Sequence, residues 1–398
     1  MKIGSAHLTY CTNIHRGETW EETRVALERY LPEVKRSVAP TEPMGVGLRL
    51  SAIAADELQK PAEFDRLCDF LSRYEFYVFT INGFPYGPFH GTRVKEDVYQ
   101  PDWCTPERLA YSNRLADLLS RLLPNDPELE GSISTVPGTF RPLGAEPGAV
   151  AKMASNVLRH AAHLVDIREQ SGRTIALAIE PEPMCFLETT DEAIDFIETQ
   201  LLSRSGLAQF TELTGLTASN AEAAIRRHVG LCYDVCHAAV EFEDAAAGFA
   251  RLARAGLRAS KVQLSAALRI PSVDGGTVAQ LERFDDGVYL HQVVERRRDG
   301  ALVRYLDLAD AFAAVGSAQG SEWRVHCHVP IFMKALPELG TTQDMLRQVL
   351  EMHKSALLSA HLEIETYTFD VLPEELRQVD VATAVSREIA WAKDVLAQ

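Results

Sequence analysis

The stretch "WRVHCHVPIF" (323–332) alternates polar and apolar residues. At a strand's period of two, His326 and His328 fall on one face and Cys327 on the other. Two such imidazoles are either packing residues satisfied by backbone carbonyls or ligands in a site. Carboxylates able to share their space decide between the two. Several apolar runs end in them: Glu180 and Glu182 in "IEPEP", Asp234 with His237 in "YDVCH", and Glu363 and Glu365, then Tyr367, in "HLEIETYTF". Gln263 and Ser265 occupy the equivalent place in "SKVQLSAA".

Clustered buried carboxylates repel one another and lose their hydration. A divalent cation relieves both costs. Two or three carboxylates with one or two imidazoles suit Mn, Zn, Co or Mg. Such an ion polarises a carbonyl or brings two polyol oxygens into register for proton transfer. The expected ligands of one divalent ion are Glu180, Asp234, His328 and Glu365, with either His326 or His328 as the imidazole ligand. Asp234 is equally suited to capping the helix that follows it. His237 reads as a substrate contact, Gln263 as a weak neutral ligand or water bridge, and Cys327 as packing. Cys232 and Cys236 read as small hydrophobes in the core.

A second group surrounds these residues. Asn13 and His15 follow the first strand in "TYCTNIH", and Asn82, Tyr86 and His90 belong to "NGFPYGPFHG". This aromatic, Gly/Pro-punctuated loop suits a sugar face, or equally a folded plug. Arg49 is a candidate anchor for an anionic group, as is Lys95, for which a structural ion pair is the better reading.

Elements must bring these residues together. Candidate strands lie at 2–11, 46–52, 76–83, 131–138, 174–183, 229–237, 260–267, 323–330 and 361–369, with amphipathic helical patterns between them. Near-continuous apolar strands alternating with helices mean a parallel sheet covered by helices. So many repeats in one chain predict a closed (β/α)8 TIM barrel, with the site at the C-terminal ends of its strands. Nine candidates compete for eight places, and one is extra. The chain reads as a single domain, 1–398, with insertions at about 84–130 and 269–320. The second contains a β-hairpin turning at Asp299–Gly300. Both should lie over the mouth.

The 398 residues carry a formal net charge of -16, which argues against nucleic acid and anionic lipid as partners. No apolar run is long enough to span a bilayer, and "MKIGSAHLTYCTN" reads as a strand rather than a signal peptide. Seven scattered cysteines favour reduced thiols and a cytoplasmic location.

Glu180, the "DVCH" motif, the polar position in "KVQLS" and the terminal Glu365 together resemble the xylose-isomerase-like TIM barrels. The stretches "LTYCTNIHRGETW", "INGFPYGPFHGTRVKEDVYQPDW" and "ISTVPGTFRP" resemble, more closely, the EboE metabolite-traffic proteins. The broader resemblance implies a divalent ion held by Glu, Asp, His and Glu, with paired glutamates moving a proton between adjacent sugar carbons. Carried over, it makes Glu180 and Asp234 ligands, Glu180 and Glu365 proton-transfer groups, and His237 a substrate contact or catalytic aid. The sequence departs from that pattern at Gln263, where a histidine is expected. The next candidate strand then offers His328 where a glutamate is expected.

The resulting expectation is a metal-dependent isomerase or epimerase of a small sugar-like or polyhydroxy metabolite. Asn13, His15, Arg49, Asn82, Tyr86, His90, Glu182, Gln263, His326 and Tyr367 are its candidate substrate contacts. A metal-dependent hydrolase and a non-catalytic metabolite carrier or scaffold are the alternatives. The EboE resemblance implies precursor traffic alongside proteins of the same operon and fixes no reaction.

Overall fold

The computed structural model describes residues 1–88, 95–336 and 338–397. The first apolar run divides: β1 (Lys2–Ile3) turns at Gly4, φ +58°, back onto β2 (Ala6–Tyr10). There follow β3 (Met44–Arg49), β4 (Phe76–Asn82), β5 (Gly131–Thr135), β6 (Ile175–Ile179), β7 (Val229–Asp234) and β8 (Ala259–Leu264). The chain then inserts β9 (Leu268–Ile270), β10 (Val293–Arg296), β11 (Leu302–Tyr305), β12 (Glu322–Val325), β13 (Ala335–Leu336) and β14 (Leu339–Thr341). It returns to the main sheet as β15 (His361–Ile364).

The main sheet has the order β1-β2-β15-β8-β7-β6-β5-β4-β3, parallel from β2 onward. Its ends meet where Cys11 bridges Gly47 in parallel. Threonine hydroxyls stitch this seam. Thr9 Oγ1 accepts from Gly47 N at 3.0 Å and donates to Gly45 O at 2.8 Å, and Thr12 Oγ1 accepts from Arg49 N at 2.8 Å. Side chains thus satisfy backbone groups that a regular ladder would otherwise pair. The architecture is the eight-stranded (β/α) barrel expected from the alternation of strands and helices.

Helices cover the outside. The first, Trp20–Val38, starts with a capping box, Thr19 and Glu22 each accepting from the other's backbone N–H. Among the described residues no helix is long and apolar enough to cross a membrane.

The extra ninth strand is 323–330. Only its first part is extended, as β12, and it joins an antiparallel sheet of order β11-β10-β12-β9-β14-β13. The β10–β11 hairpin turns through Gly300, φ +88°, where the sequence places it. The inserted sheet reaches from Leu268 to Thr341, further than the 269–320 expected. The reason is that the residues from Val325 to Pro330 are continuously buried, as in a barrel strand, while β12 pairs with β9 and β10. His326 and His328 therefore come from the insertion, and Glu365 follows the eighth barrel strand rather than a ninth.

Candidate metal centre

Alternation along the barrel strands points every second side chain inward. On β15 this stacks His361, Glu363 and Glu365 from floor to mouth. At the floor, His361 Nδ1 meets Ser132 Oγ at 2.8 Å. In the middle, Glu363 Oε2 accepts from Lys261 Nζ at 2.6 Å, and both side chains are wholly buried. Burial works against the Lys261 ammonium, but the Glu363 charge more than restores it. At the mouth, Glu365 Oε1 accepts from Asn13 Nδ2 at 2.7 Å and Asn82 Nδ2 at 2.8 Å.

Glu180, Asp234 and Glu365 each bring a carboxylate oxygen within 4.8 Å of the others, all three buried. Asp234 performs both tasks that its position suggests. Its Oδ1 accepts from His237 N at 2.9 Å, capping the helix, and from Ser265 Oγ at 2.8 Å. Its Oδ2 is buried with no hydrogen-bond partner, as is Glu180 Oε2. Burial, then the Asp234 charge, pushes the Glu180 carboxyl well above its ordinary range; burial, then Glu180, does the same to Glu365. Burial also disfavours the Asp234 charge. The neighbouring imidazoles and the two donated hydrogen bonds outweigh it and hold Asp234 below the usual range.

Asp234, His237 and His328 form a second close set of potential ligand atoms, and Cys236, His326 and His328 a third. The imidazoles are oriented by their Nδ1 atoms. His328 Nδ1 donates to Glu365 O at 2.7 Å and His237 Nδ1 to Pro181 O at 2.9 Å. A donor at Nδ1 leaves the Nε2 lone pair bare, the usual preparation of a ligating histidine. His328 Nε2 is buried without a partner. Burial holds His237 neutral, with its pKa lowered to about 4.

Of these groups Glu180, Glu365 and His237 line a cavity walled by Phe84, Tyr99, Tyr289 and Tyr367, with Asn13, Asn82, Glu182 and His326 also lining it. Both long insertions reach the mouth. Phe84, Pro85, Lys95 and Tyr99 come from the first, and Tyr289, Leu290 and Gln292 from the second. Lys95 is paired with Asp307 at 2.5 Å. Burial raises the Glu182 carboxyl to about 8 against the pull of the Tyr99 hydroxyl, which donates to it at 2.8 Å.

Other candidates lie elsewhere. The Arg49 guanidinium binds Gly17 O, Gly87 O and the Glu18 carboxylate, fastening loops rather than lining the cavity. His15 stacks on Tyr30 at 4.2 Å and meets Tyr10 OH at 2.9 Å, away from the cavity. Tyr86 packs edge-on against Tyr111. Gln263 is wholly buried, its Oε1 accepting from Cys232 Sγ at 3.1 Å beneath the mouth. His90 lies outside the described residues. Sequence reasoning passed over Tyr99, Gln292 and Lys261, and read Cys236 as a core hydrophobe. A lysine inside an apolar strand was a readable signal for Lys261; the others carried none.

No family model matches the chain, and no curated protein does. Neither comparison supports the EboE resemblance. Solved structures do resemble it. An IolI protein with a bound zinc atom is 12% identical over 98% of each chain, TM-score 0.43. A probable 3-DHS dehydratase, AsbF of Bacillus anthracis, is 11% identical over 97% of each, TM-score 0.46. A xylose isomerase domain protein of Salmonella typhimurium LT2 is 13% identical over 100% of each, TM-score 0.43. At such identities and TM-scores the likeness carries nothing about reaction, metal or substrate.

Proposed function

We propose that this protein is a divalent-metal-dependent enzyme acting on a small sugar-like or polyhydroxy metabolite, in the manner of an isomerase or epimerase. The observation that carries the reading is the convergence of three buried carboxylates with orphaned oxygens on Glu180 and Asp234. Such oxygens are costly to bury unless something positive satisfies them. Glu180, Asp234, His328 and Glu365 would hold the ion. Bound there, it would polarise a substrate oxygen and align a neighbouring one.

The chain's own groups supply the rest. Asn13 and Asn82 occupy Glu365 Oε1 and fix the carboxyl in place. Glu180 and Glu365, carboxyls that converge at the mouth, are the groups suited to exchanging a proton with a substrate carbon. His237 lines the cavity with its Nδ1 held by Pro181 O, which leaves Nε2 as the atom suited to a substrate hydroxyl. Phe84, Tyr99 and Tyr367 line the cavity, and aromatic rings there suit the apolar side of a ring or polyol chain. The EboE-like stretches extend this reading to a metabolite precursor handled with proteins of one operon.

The test is elemental analysis beside isotope exchange. Purified protein should carry a divalent ion that Glu180→Gln and Asp234→Asn lose. In D2O it should wash deuterium into the carbon beside the carbonyl of a polyhydroxy ketone. Absence of any stoichiometric ion would sink the metal reading. A bound ion without exchange, across a panel of such ketones, would move the carrier reading forward.

A further inference from the structure

We infer that the mouth contains a second cation position, chemically softer than the first, formed by Cys236, His326 and His328. Cys236 Sγ and one nitrogen of each histidine lie within 4.8 Å of one another, and all three residues are buried. Two imidazoles and a thiolate favour zinc or cobalt, whereas the three-carboxylate position beside them favours harder ions.

Two independent observations aim these side chains at a ligand. The first is their orphaned atoms. His326 is 4% exposed and His328 0%, and the Nε2 atom of each is buried with no hydrogen-bond partner. The second is that their tautomers are set from behind. Gln292 Nε2 donates to Tyr99 OH at 2.7 Å and to Pro183 O at 3.3 Å, which makes its Oε1 the acceptor. His326 Nδ1, 2.7 Å from that oxygen, therefore carries the proton. His328 Nδ1 donates to Glu365 O in the same way. Both Nε2 lone pairs are left bare. Packing alone gives no reason to leave two bare imidazole nitrogens buried on residues that converge with a thiol, where unpaired polar atoms are costly.

Cys236 reaches this position because the helix opens at Asp234, and the Cys236 amide donates to Ser265 Oγ at 2.9 Å. Its remaining neighbours, Val240, Ala267 and Val294, are apolar and keep water away. Ligation converts the thiol to a thiolate and releases its proton to solvent. His328 has a single lone pair to offer. With both positions filled it serves the softer ion, and Glu180, Asp234 and Glu365 hold the harder one. Only His328 is shared with the reading above, so the two can fail separately.

The probe is cobalt(II), added to metal-stripped full-length protein under reducing conditions. Near-ultraviolet absorption reports sulfur-to-cobalt charge transfer, and elemental analysis after dialysis counts bound ions. Wild type should show the band. Glu180→Gln should keep it while losing the ion at the carboxylates. Cys236→Ser should lose it entirely and retain the carboxylate-bound ion. His326→Gln, which spares the sulfur, should weaken cobalt binding at this position at least tenfold. It is the second reading if Cys236→Ser does not fold. No band in wild type, or a band that survives Cys236→Ser, overturns the inference. A band with a single ion, indifferent to Glu180→Gln, would uphold it and overturn the carboxylate position instead.

Discussion

Lys261 and Glu363 show how much the site depends on residues that never meet the cavity. Their ion pair lies wholly buried one layer below the mouth, under Glu365. Gly47 makes room for it: a Cβ there would sit 2.0 Å from Glu363 Oε1 and 2.7 Å from Tyr10 O. The carboxylate is held by Lys261 and the carbonyl belongs to the neighbouring strand, so neither can withdraw cheaply. Gly47→Ala should cost at least about 1–3 kcal/mol in urea unfolding. Gly316→Ala, whose Cβ meets nothing within 4 Å, should be neutral by the same measurement. Lys261→Met leaves a buried carboxylate uncompensated and should cost about 3–5 kcal/mol. Adding Glu363→Gln should restore most of that loss. A single Lys261→Met variant as stable as wild type would show that the pair contributes nothing.

At the scale of elements, the C-terminal helix Val381–Ala397 ties together the two segments that carry the site. Glu388 Oε1 accepts from Ile331 N at 3.1 Å, just beyond His328, and from Thr366 Oγ1 at 2.7 Å, just beyond Glu365. Burial raises its pKa from the ordinary 4.5 to about 7. A folded pKa above the unfolded one means stability that is complete below the unfolded value and lost as pH rises through the folded one. Wild type should therefore lose on the order of 2–3 kcal/mol relative to Glu388→Gln between about pH 5 and pH 8. Paired urea titrations at the two pH values measure this, and a gap between the two proteins that does not change with pH would refute it.

The same elements explain what was legible in the chain. Strands such as "TIALAIE" are apolar on both faces because helices and barrel core both bury them, so the parallel barrel could be read directly. Asp234 and Glu180 were legible because each ends such a run. The inserted sheet was not, because the stretch from Val325 to Pro330, which begins at the end of β12, is as apolar and buried as a barrel strand, while β12 pairs antiparallel with β10. The partners of Arg49 were not legible for a different reason. Arg49 ends a barrel strand as a ligand would, but the loop carbonyls and carboxylate that occupy it are distant in sequence.

The whole molecule sets the proton balance of the mouth. The chain carries a formal net charge of -16, and three carboxylates converge where water is scarce. Burial and mutual repulsion push the Glu180 and Glu365 carboxyls well above their ordinary range, which favours keeping protons there in the metal-free protein. A divalent ion must displace them, and binding is then coupled to proton release. The sign follows: affinity should weaken as pH falls, and a saturating ion should stabilise the fold most where these carboxyls ionise. At an ion concentration of about 100 Kd the gain is about 2.7 kcal/mol. Calorimetric titration with manganese in two buffers of different ionisation enthalpy separates the proton term from the rest. The apparent heats should differ between the buffers, and Glu365→Gln should narrow the difference. Equal heats in both would mean that the carboxylates are already ionised in the metal-free protein. The charge that holds them so would then have to come from Lys261, the buried cation one layer below.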